Sequence, residues 1–171
     1  MENSSQADYT AIAETLYIKY SKDVLRVSYF YLGNVQQAED VMQEVFVKLL
    51  LNKPVLEPGK EKAWLLAVAF NLCRDIWRSG WTKRVFAASN KLVFYPNQNS
   101  DIEDLADKVS LMQALHQLSP TLKETMLLYY YQNYTIDEIA EILNTTSGTI
   151  ASRLSRGRDK LKNILERGVG A

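Results

Sequence analysis

The sequence predicts an all-α protein in which two small helical domains are joined by a flexible acidic linker. Apolar residues recur at helical spacing along most of the chain, and strand-like alternation is scarce. Only 7 Gly and 4 Pro interrupt the 171 residues, so few breaks between helices are available. The positions of these breaks predict a first domain at residues 9–81, a linker at residues 82–107 and a second domain at residues 108–171.

The first domain is predicted to contain three helices. An apolar and aromatic segment at residues 11–32 is followed by Gly33-Asn34, a pair that commonly stops a helix. Residues 35–51 and residues 61–79 place apolar positions on one side of a helix and polar positions on the other. The prolines and the glycine between these two segments predict a loop.

The linker differs in composition from the segments on either side. It lacks helical periodicity at first and ends in an acidic run formed by Asp101, Glu103, Asp104 and Asp107. Helical periodicity resumes near residue 108, and Ser119-Pro120 is predicted to cap and begin a helix of the second domain.

Residues 135–165 predict a helix-turn-helix. Thr135 and Glu138 have the spacing of a capping box, and Asn144 is suited to the left-handed conformation that ends a helix. After a short turn, the second helix has an apolar stripe on one side and basic and hydroxyl residues on the other. This arrangement is typical of a helix that enters the major groove of DNA. A helical hairpin with solvated charges is the alternative.

The charge of the chain is segregated although its net charge is zero, with 20 basic and 20 acidic residues. Residues 60–84 and residues 147–167 each contain six basic and two acidic residues, so each has a net charge of +4, whereas residues 101–107 have −4. Local basic patches of this kind favour contact with nucleic acid, while the overall balance argues against indiscriminate coating of DNA.

Several classes of protein are not favoured by the sequence. The single Cys73 excludes a disulfide framework and a cysteine zinc site within one chain. No glycine-rich phosphate loop, metalloprotease motif or nucleophile elbow is present, so we expect no enzymatic activity, no catalytic residue, no metal and no cofactor. The polar start and the lack of an apolar run of about 20 residues predict a cytoplasmic protein without membrane insertion.

Four stretches resemble bacterial RNA polymerase sigma factors of the sigma-70 family, of the extracytoplasmic-function (ECF) type. AEDVMQEVFVKLL (38–50) is similar to the polymerase-clamp helix, and AWLLAVAFNLCRDIWR (63–78) is similar to the −10 recognition segment. In the second half, LSPTLKETMLLYYYQNYTIDEIAEIL (118–143) and SGTIASRLSRGRDKLK (147–162) are similar to the approach helices and the recognition helix of region 4. The two predicted domains would then be sigma regions 2 and 4.

The resemblance implies an alternative sigma factor that binds core RNA polymerase and directs promoter-specific initiation at the −10 and −35 elements. The implied partners are the largest-subunit clamp and the flap of the polymerase, promoter DNA and an anti-sigma factor. Two rivals remain: a helix-turn-helix regulator that acts without joining polymerase, and an adaptor that binds polymerase or an anti-sigma protein without promoter recognition. The stretch at 38–50 discriminates against the first, because such a regulator does not need it.

The resemblance also implies roles for individual residues. The clamp-binding positions would be Asp40, Gln43, Glu44 and Phe46, although Phe46 also fits a core position. The loop from Pro54 to Lys62, together with Asn71, would capture a flipped −10 base, with a polar surface position as the alternative for Asn71. Arg74 and Arg78 would contact phosphates. The positions that face the −35 element would be Ser147, Thr149, Ser152, Arg153 and Arg156.

Three further basic residues, Arg158, Lys160 and Lys162, are expected to meet phosphates or solvent. This chain differs from the family at position 151. The family often has a basic residue there, whereas this chain has Ala151. Alanine offers only a small apolar surface, which suits a thymine methyl group or a close approach of the backbone.

Overall fold

The computed structural model describes residues 2–80 and 111–169, and all regular secondary structure in these two segments is helical. The helices are α1 (Glu2–Leu32), α2 (Val35–Asn52), α3 (Glu61–Arg78), α4 (111–116), α5 (Pro120–Met126) with a π-helical turn (Leu127–Tyr131), α6 (Ile136–Ile142) and α7 (Ser147–Val169). The predicted all-α class with two helical domains is confirmed. The linker with its acidic run lies outside the described residues.

The junction between α1 and α2 follows the sequence prediction. Gly33 adopts φ 68°, a left-handed conformation that favours glycine. Asn34 then caps α2, because its side-chain oxygen accepts a hydrogen bond from the backbone N–H of Gln37 at 2.9 Å. Two adjacent residues thus end one helix and begin the next.

Helix α1 is longer than predicted, since it starts at Glu2 rather than near residue 11. Its first turns are polar and therefore give no apolar periodicity to detect. The hydroxyl of Tyr9 donates a hydrogen bond to the carbonyl of Pro54 at 3.0 Å, which ties this end of α1 to the loop between α2 and α3.

The core of the first domain forms where α1, α2 and α3 pack together. Both faces predicted for α2 and α3 are observed, with the apolar stripe inside. Cys73 lies fully buried in this core, and burial raises the pKa of its thiol to about 12. The core side chains from the three helices include Val24, Val27, Leu32, Val41, Val45, Leu49, Leu65, Ala69 and Phe70.

The second domain has the predicted helix-turn-helix. Thr135 and Glu138 form the capping box, with both reciprocal hydrogen bonds present at 2.8 and 3.3 Å. Asn144 ends the first helix of the motif in a left-handed conformation with φ 50°. Ile150 and Leu154 then anchor α7 in the core. The π-helical turn after α5 was not predicted, because its sequence LLYYY has the same apolar character as an α-helix.

Gly157 lies in the middle of α7 at a point where Met126 of α5 packs directly on the helix backbone. A Cβ atom at this position would lie 2.8 Å from the Sδ atom of Met126 and 3.0 Å from its Cγ atom. Glycine in a helix interior costs about 1 kcal/mol relative to alanine, and here that cost permits the close approach of two helices.

Replacing Gly157 with valine is therefore expected to lower the free energy of unfolding by about 1–3 kcal/mol, because the added side chain overpacks the α5–α7 contact. Chemical denaturation followed by circular dichroism would measure the loss. The matched control is Gly148→Val on the same helix, where no atom lies within 4 Å of the added Cβ. Equal stability of the two variants would contradict this account of Gly157.

Candidate nucleic-acid interface

One side of α2 presents the acidic residues that the sequence singled out. Asp40, Gln43 and Glu44 are exposed and lie at i, i+3 and i+4, on one face of the helix. Their contacts are weak and local: Gln36 donates to Asp40 at 3.4 Å, and Lys48 lies 3.7 Å from Glu44. An exposed acidic face would repel phosphates, so it suits a basic protein surface rather than DNA.

Phe46 differs from its neighbours on α2. It is only 6% exposed and packs edge-on against Tyr17 of α1, with ring centroids 5.0 Å apart. Its side chain therefore lies in the core beneath the acidic face. Of the two positions expected for Phe46, clamp-binding and core, the structure shows the core position. A group of exposed apolar residues near the end of α2 was not predicted from the sequence, namely Val47, Leu50, Leu51 and Val55.

Helix α3 brings Asn71 and Arg74 together on one face, because they lie three residues apart. Asn71 is exposed, and its Oδ1 atom accepts a hydrogen bond from the guanidinium of Arg74 at 2.6 Å. Arg78 is exposed and lies 3.7 Å from Asp75. Trp64 packs against the core of the domain. The face thus offers an amide and two guanidinium groups, which suit a base edge and phosphates respectively.

The first turn of α7 uses its hydroxyl groups internally. Thr146 caps the helix by accepting a hydrogen bond from the backbone N–H of Thr149 at 3.2 Å, and the two hydroxyl groups lie 2.9 Å apart. Ser147 donates to Asp137 of α6 at 2.5 Å. Ser147 and Thr149, both predicted to face DNA, therefore also hold the turn of the helix-turn-helix in shape.

Further along α7, Ser152 and Arg156 are exposed one turn apart, and Arg153 is half-buried beside them. The guanidinium of Arg156 donates to the carbonyl of Ser152 at 3.4 Å, a long contact that DNA is able to replace. Lys160 is exposed on the same side of the helix, because it lies four residues beyond Arg156.

Arg158 and Lys162 lie on the opposite side of α7 from Arg156. They border an apolar groove of about 750 Å³ that is lined by the second domain together with Phe30 of α1. Arg158 donates a hydrogen bond to the hydroxyl of Tyr130 at 3.2 Å. The sequence predicted an apolar stripe along this side of α7 but not the groove that its distal leucines line. The apolar lining includes Leu111, Leu115, Met126, Leu127, Leu161 and Leu165.

The two domains contact each other through a group of five residues, which we call the interdomain cluster: the buried Tyr31, Lys123 and Glu124 and the half-buried Arg74 and Trp77. One oxygen of Glu124 lies 2.9 Å from Nε of Arg74 and accepts a hydrogen bond from the hydroxyl of Tyr31 at 3.2 Å. The ammonium of Lys123 donates to the carbonyl of Tyr31 at 3.1 Å and lies 4.4 Å from the ring centre of Trp77. Lys123 and Glu124 are almost completely buried.

Burial perturbs the titration of both charged residues that α5 contributes to the cluster. It raises the pKa of the Glu124 carboxyl to about 7, although the charges of Arg74 and Arg153 oppose the shift. It lowers the pKa of the Lys123 ammonium to about 8. Burial and the charge of Lys123 lower the pKa of the neighbouring His116 to about 4, so that imidazole is neutral near pH 7.

We therefore expect the contact between the domains to be weakest between about pH 7 and 8. Because the carboxyl pKa of Glu124 is raised, this residue stabilises the contact between the domains fully below pH 4.5, and the contribution is lost as the pH rises through about 7. Because the ammonium pKa of Lys123 is lowered, this residue stabilises the contact fully above pH 10.5, and the contribution is lost as the pH falls through about 8. Acidification from pH 8 to pH 6 should thus bring the domains together.

Fluorescence energy transfer between dyes on Lys22→Cys and Arg167→Cys, one exposed site in each domain, would measure this dependence. The same labelled chain with Glu124→Gln is the control. Because glutamine does not titrate, this variant should not show the change in energy transfer between pH 8 and pH 6. Constant energy transfer from pH 6 to pH 8 would contradict the expected titration.

Within residues 2–80 and 111–169, no group of three His, Cys, Asp or Glu side chains is placed to hold a metal ion. None of the helices in these residues has the length and apolar content of a membrane span.

Comparison with known proteins gives matches to both halves of the chain. Residues 16–83 match the family model for sigma-70 region 2, and residues 108–161 match the model for sigma-70, region 4. SigW of Bacillus subtilis, described as an ECF RNA polymerase sigma factor, is 28% identical over 172 residues, which covers 94% of this chain and 91% of SigW. The ECF sigma factor SigE of Mycolicibacterium smegmatis is 27% identical over 151 residues, or 86% of this chain, but the match spans only 59% of SigE.

The fold is similar to that of the sigma factor RpoE in its complex with the anti-sigma factor NepR from Bartonella quintana. The TM-score is 0.71, the sequence identity is 22%, and the match covers 90% of this chain and 96% of that one. At this identity the comparison supports the arrangement of helices rather than the role of any residue.

Proposed function

We propose how three surfaces of this chain share the work of a sigma factor. The chain belongs to the sigma-70 family and is an alternative sigma factor of the ECF type, which directs promoter-specific transcription with RNA polymerase. Three surfaces on one chain support the proposal: the acidic face of α2, the basic face of α3 and the helix-turn-helix. Since the first would repel DNA and the other two attract it, the chain suits a protein that binds polymerase and promoter together.

The acidic face of α2, formed by Asp40, Gln43 and Glu44, is proposed to bind the clamp of the largest polymerase subunit. The exposed apolar residues at the end of α2 extend this face and supply the area that a charged patch alone lacks. Phe46 holds the helix in position from the core side.

DNA recognition is divided between α3 and α7. Asn71 is proposed to pair with an extruded −10 base, while Arg74 and Arg78 contact phosphates. On α7, Ser152, Arg153 and Arg156 are proposed to face the −35 element, with Ala151 against a base or the backbone. Ser147 and Thr149 are the closest of these residues to the turn and would meet the DNA backbone there.

The apolar groove beside α7 is proposed to bind the polymerase flap, because its lining is apolar and its rim carries the charged residues Arg158, Lys162 and Glu166.

An anti-sigma factor is proposed as a further partner, since RpoE, a protein of similar fold, has been solved in complex with one. We propose that the chain acts in the cytoplasm alongside RNA polymerase. Polymer synthesis would be the reaction of the polymerase, and this chain would have no catalytic role.

In vitro transcription with purified core polymerase tests the proposal directly. Mapping of start sites across genomic DNA should give a limited set of promoters that share two elements, and polymerase alone should give none of them. Specific binding to a DNA site without any binding to core polymerase would instead favour the helix-turn-helix regulator.

Asn71→Ala is expected to leave duplex binding by the holoenzyme unchanged and to slow strand opening, because the amide would meet only an extruded base. Permanganate reactivity of unpaired thymines in the −10 element would report the opening. Gln113→Ala, which removes an exposed amide from α4, is the control. Normal thymine reactivity with Asn71→Ala would rule out base capture by this residue.

A further inference from the structure

We propose that Tyr9, near the start of α1, is a positioning residue for promoter opening, because its hydroxyl holds the loop between α2 and α3 in the shape that receives an extruded −10 base. The hydroxyl donates a hydrogen bond to the carbonyl of Pro54 at 3.0 Å, across 45 residues of sequence. The inference rests on the proposed function in one respect, namely that the base is captured beside α3 by the loop from Pro54 to Lys62 together with Asn71. Tyr9 acts through the loop and does not itself touch DNA.

The backbone at the start of this loop adopts a conformation that its own sequence disfavours. Lys53 has φ 44° and ψ 54°, in the left-handed region. The other non-glycine residues with positive φ in residues 2–80 and 111–169 are Asn133 and Asn144, and asparagine tolerates this region far better than lysine does. Lys53 also precedes a proline, which steers the preceding residue towards extended conformations. A conformation that is disfavoured on both counts persists only where its surroundings hold it.

Tyr9 provides a long-range contact that holds this turn. The backbone N–H of Lys53 donates to the carbonyl of Leu49 at 3.1 Å, which is a local bond at the end of α2. Pro54 has no N–H to donate, so its carbonyl is the backbone group by which it can be held, and this carbonyl accepts from Tyr9. The Tyr9 ring packs against the hydrophobic core, so the hydroxyl is presented from a fixed position. Burial raises the pKa of Tyr9, and the hydroxyl therefore keeps its proton and remains a donor near neutral pH.

The second half of the loop is held by contacts of its own. The backbone N–H of Lys60 donates to the carbonyl of Glu57 at 3.0 Å, and the two side chains form an ion pair at 3.1 Å. Gly59 has φ 86°, a left-handed conformation that glycine adopts without strain. Leu56, between the two halves, packs against the core. Loss of the Tyr9 hydroxyl should therefore loosen the first half of the loop and leave the second half in place.

A loop that is already fixed favours base capture, because it does not have to be ordered when the base arrives. Extrusion already requires the unstacking and unpairing of a base. If the loop became ordered only on binding, its loss of conformational entropy would add to that cost. The Tyr9 contact should therefore act on strand opening, whereas binding to duplex DNA, which precedes extrusion, should be insensitive to it.

Hydrogen exchange of the free full-length chain, resolved by residue, tests the contact itself. Tyr9→Phe keeps the ring and removes only the hydroxyl. Because one hydrogen bond is lost, the amide of Lys53 should exchange about 3- to 10-fold faster, while the amide of Lys60 should exchange as in the wild type. The matched control is Tyr17→Phe, which removes a hydroxyl from an exposed tyrosine of the same helix and keeps the ring that contacts Phe46. Equal exchange of the Lys53 amide in all three chains would overturn the proposal.

Holoenzyme assembled from core polymerase and each variant tests what the contact does. Tyr9→Phe should slow strand opening about 3- to 10-fold, measured by permanganate reactivity of unpaired thymines in the −10 element, and should leave the affinity for the closed duplex promoter unchanged. Tyr17→Phe should change neither quantity. A general loss of stability would lower the amount of active protein and would therefore affect both quantities. Normal opening by the Tyr9→Phe holoenzyme would overturn the proposal.

Combination with Asn71→Ala identifies the step at which Tyr9 acts. If the loop and Asn71 hold the same base, the double variant should open promoters at about the rate of Asn71→Ala alone, because effects on one shared interaction are not additive. Losses that multiply would place Tyr9 outside base capture and contradict the proposal. If Asn71→Ala opened promoters normally while Tyr9→Phe opened them slowly, the role proposed for Asn71 would be wrong and the positioning of the loop by Tyr9 would stand.

Discussion

Reversal of two charges on α2, by Asp40→Arg together with Glu44→Arg, is expected to abolish binding to core RNA polymerase while the fold stays intact. Both side chains are exposed, and their visible contacts are one long hydrogen bond and one solvent-exposed ion pair. Loss of such contacts costs at most a few tenths of a kcal/mol of stability. Like charges brought together in a complementary interface, by contrast, cost several kcal/mol.

A pull-down with core polymerase would measure the loss, and thermal unfolding of the free variant would verify the fold. The control is Asp8→Arg with Glu14→Arg, which makes the same change in net charge at two exposed positions of α1. Loss of binding in both double variants would indicate a general charge effect. Retained binding by the α2 variant would remove this helix from the polymerase interface.

Arg156→Ala is expected to weaken recognition of the −35 element by about 1–3 kcal/mol if its guanidinium binds a guanine edge through two hydrogen bonds. The loss should depend on sequence and should largely disappear on a promoter in which that base pair is changed. The structure supports this role, because the side chain is exposed in the middle of α7 and makes a long hydrogen bond to the carbonyl of Ser152 at 3.4 Å.

Lys160→Ala is the appropriate comparison for Arg156→Ala. Lys160 lies on the same side of α7, whereas Lys162, which the sequence also suggested as a phosphate contact, borders the apolar groove. Loss of a phosphate contact should weaken binding evenly across sequences and reduce the salt dependence by about one contact. If both variants lost affinity evenly, Arg156 would be a phosphate contact rather than a base contact.

The helices and their ends were largely predictable because local residues determine them. Asn34, Thr135 and Asn144 each form a cap or a left-handed stop through hydrogen bonds or backbone angles close in sequence. The faces of α2 and α3 followed from apolar spacing, which separates buried from exposed positions within one helix.

The contacts between distant residues were not predictable in the same way. Apolar spacing placed Leu161 and Leu165 on one side of α7 but does not identify what covers that side, so the groove that they line was not predicted. Lys123 and Glu124 are adjacent charged residues, a pattern typical of a solvated surface. They are buried because the other domain supplies Arg74, Tyr31 and Trp77, which no local pattern encodes.

The buried thiol of Cys73 has a practical consequence for experiments on the first domain. It is the only sulfhydryl group in the chain, it is fully covered, and its pKa of about 12 keeps it protonated near neutrality. Thiolate is the reactive form, so a soluble disulfide reagent should modify the sulfur only when the three-helix core opens. The rate of that modification therefore reports how often the covering of this thiol opens, with no label introduced.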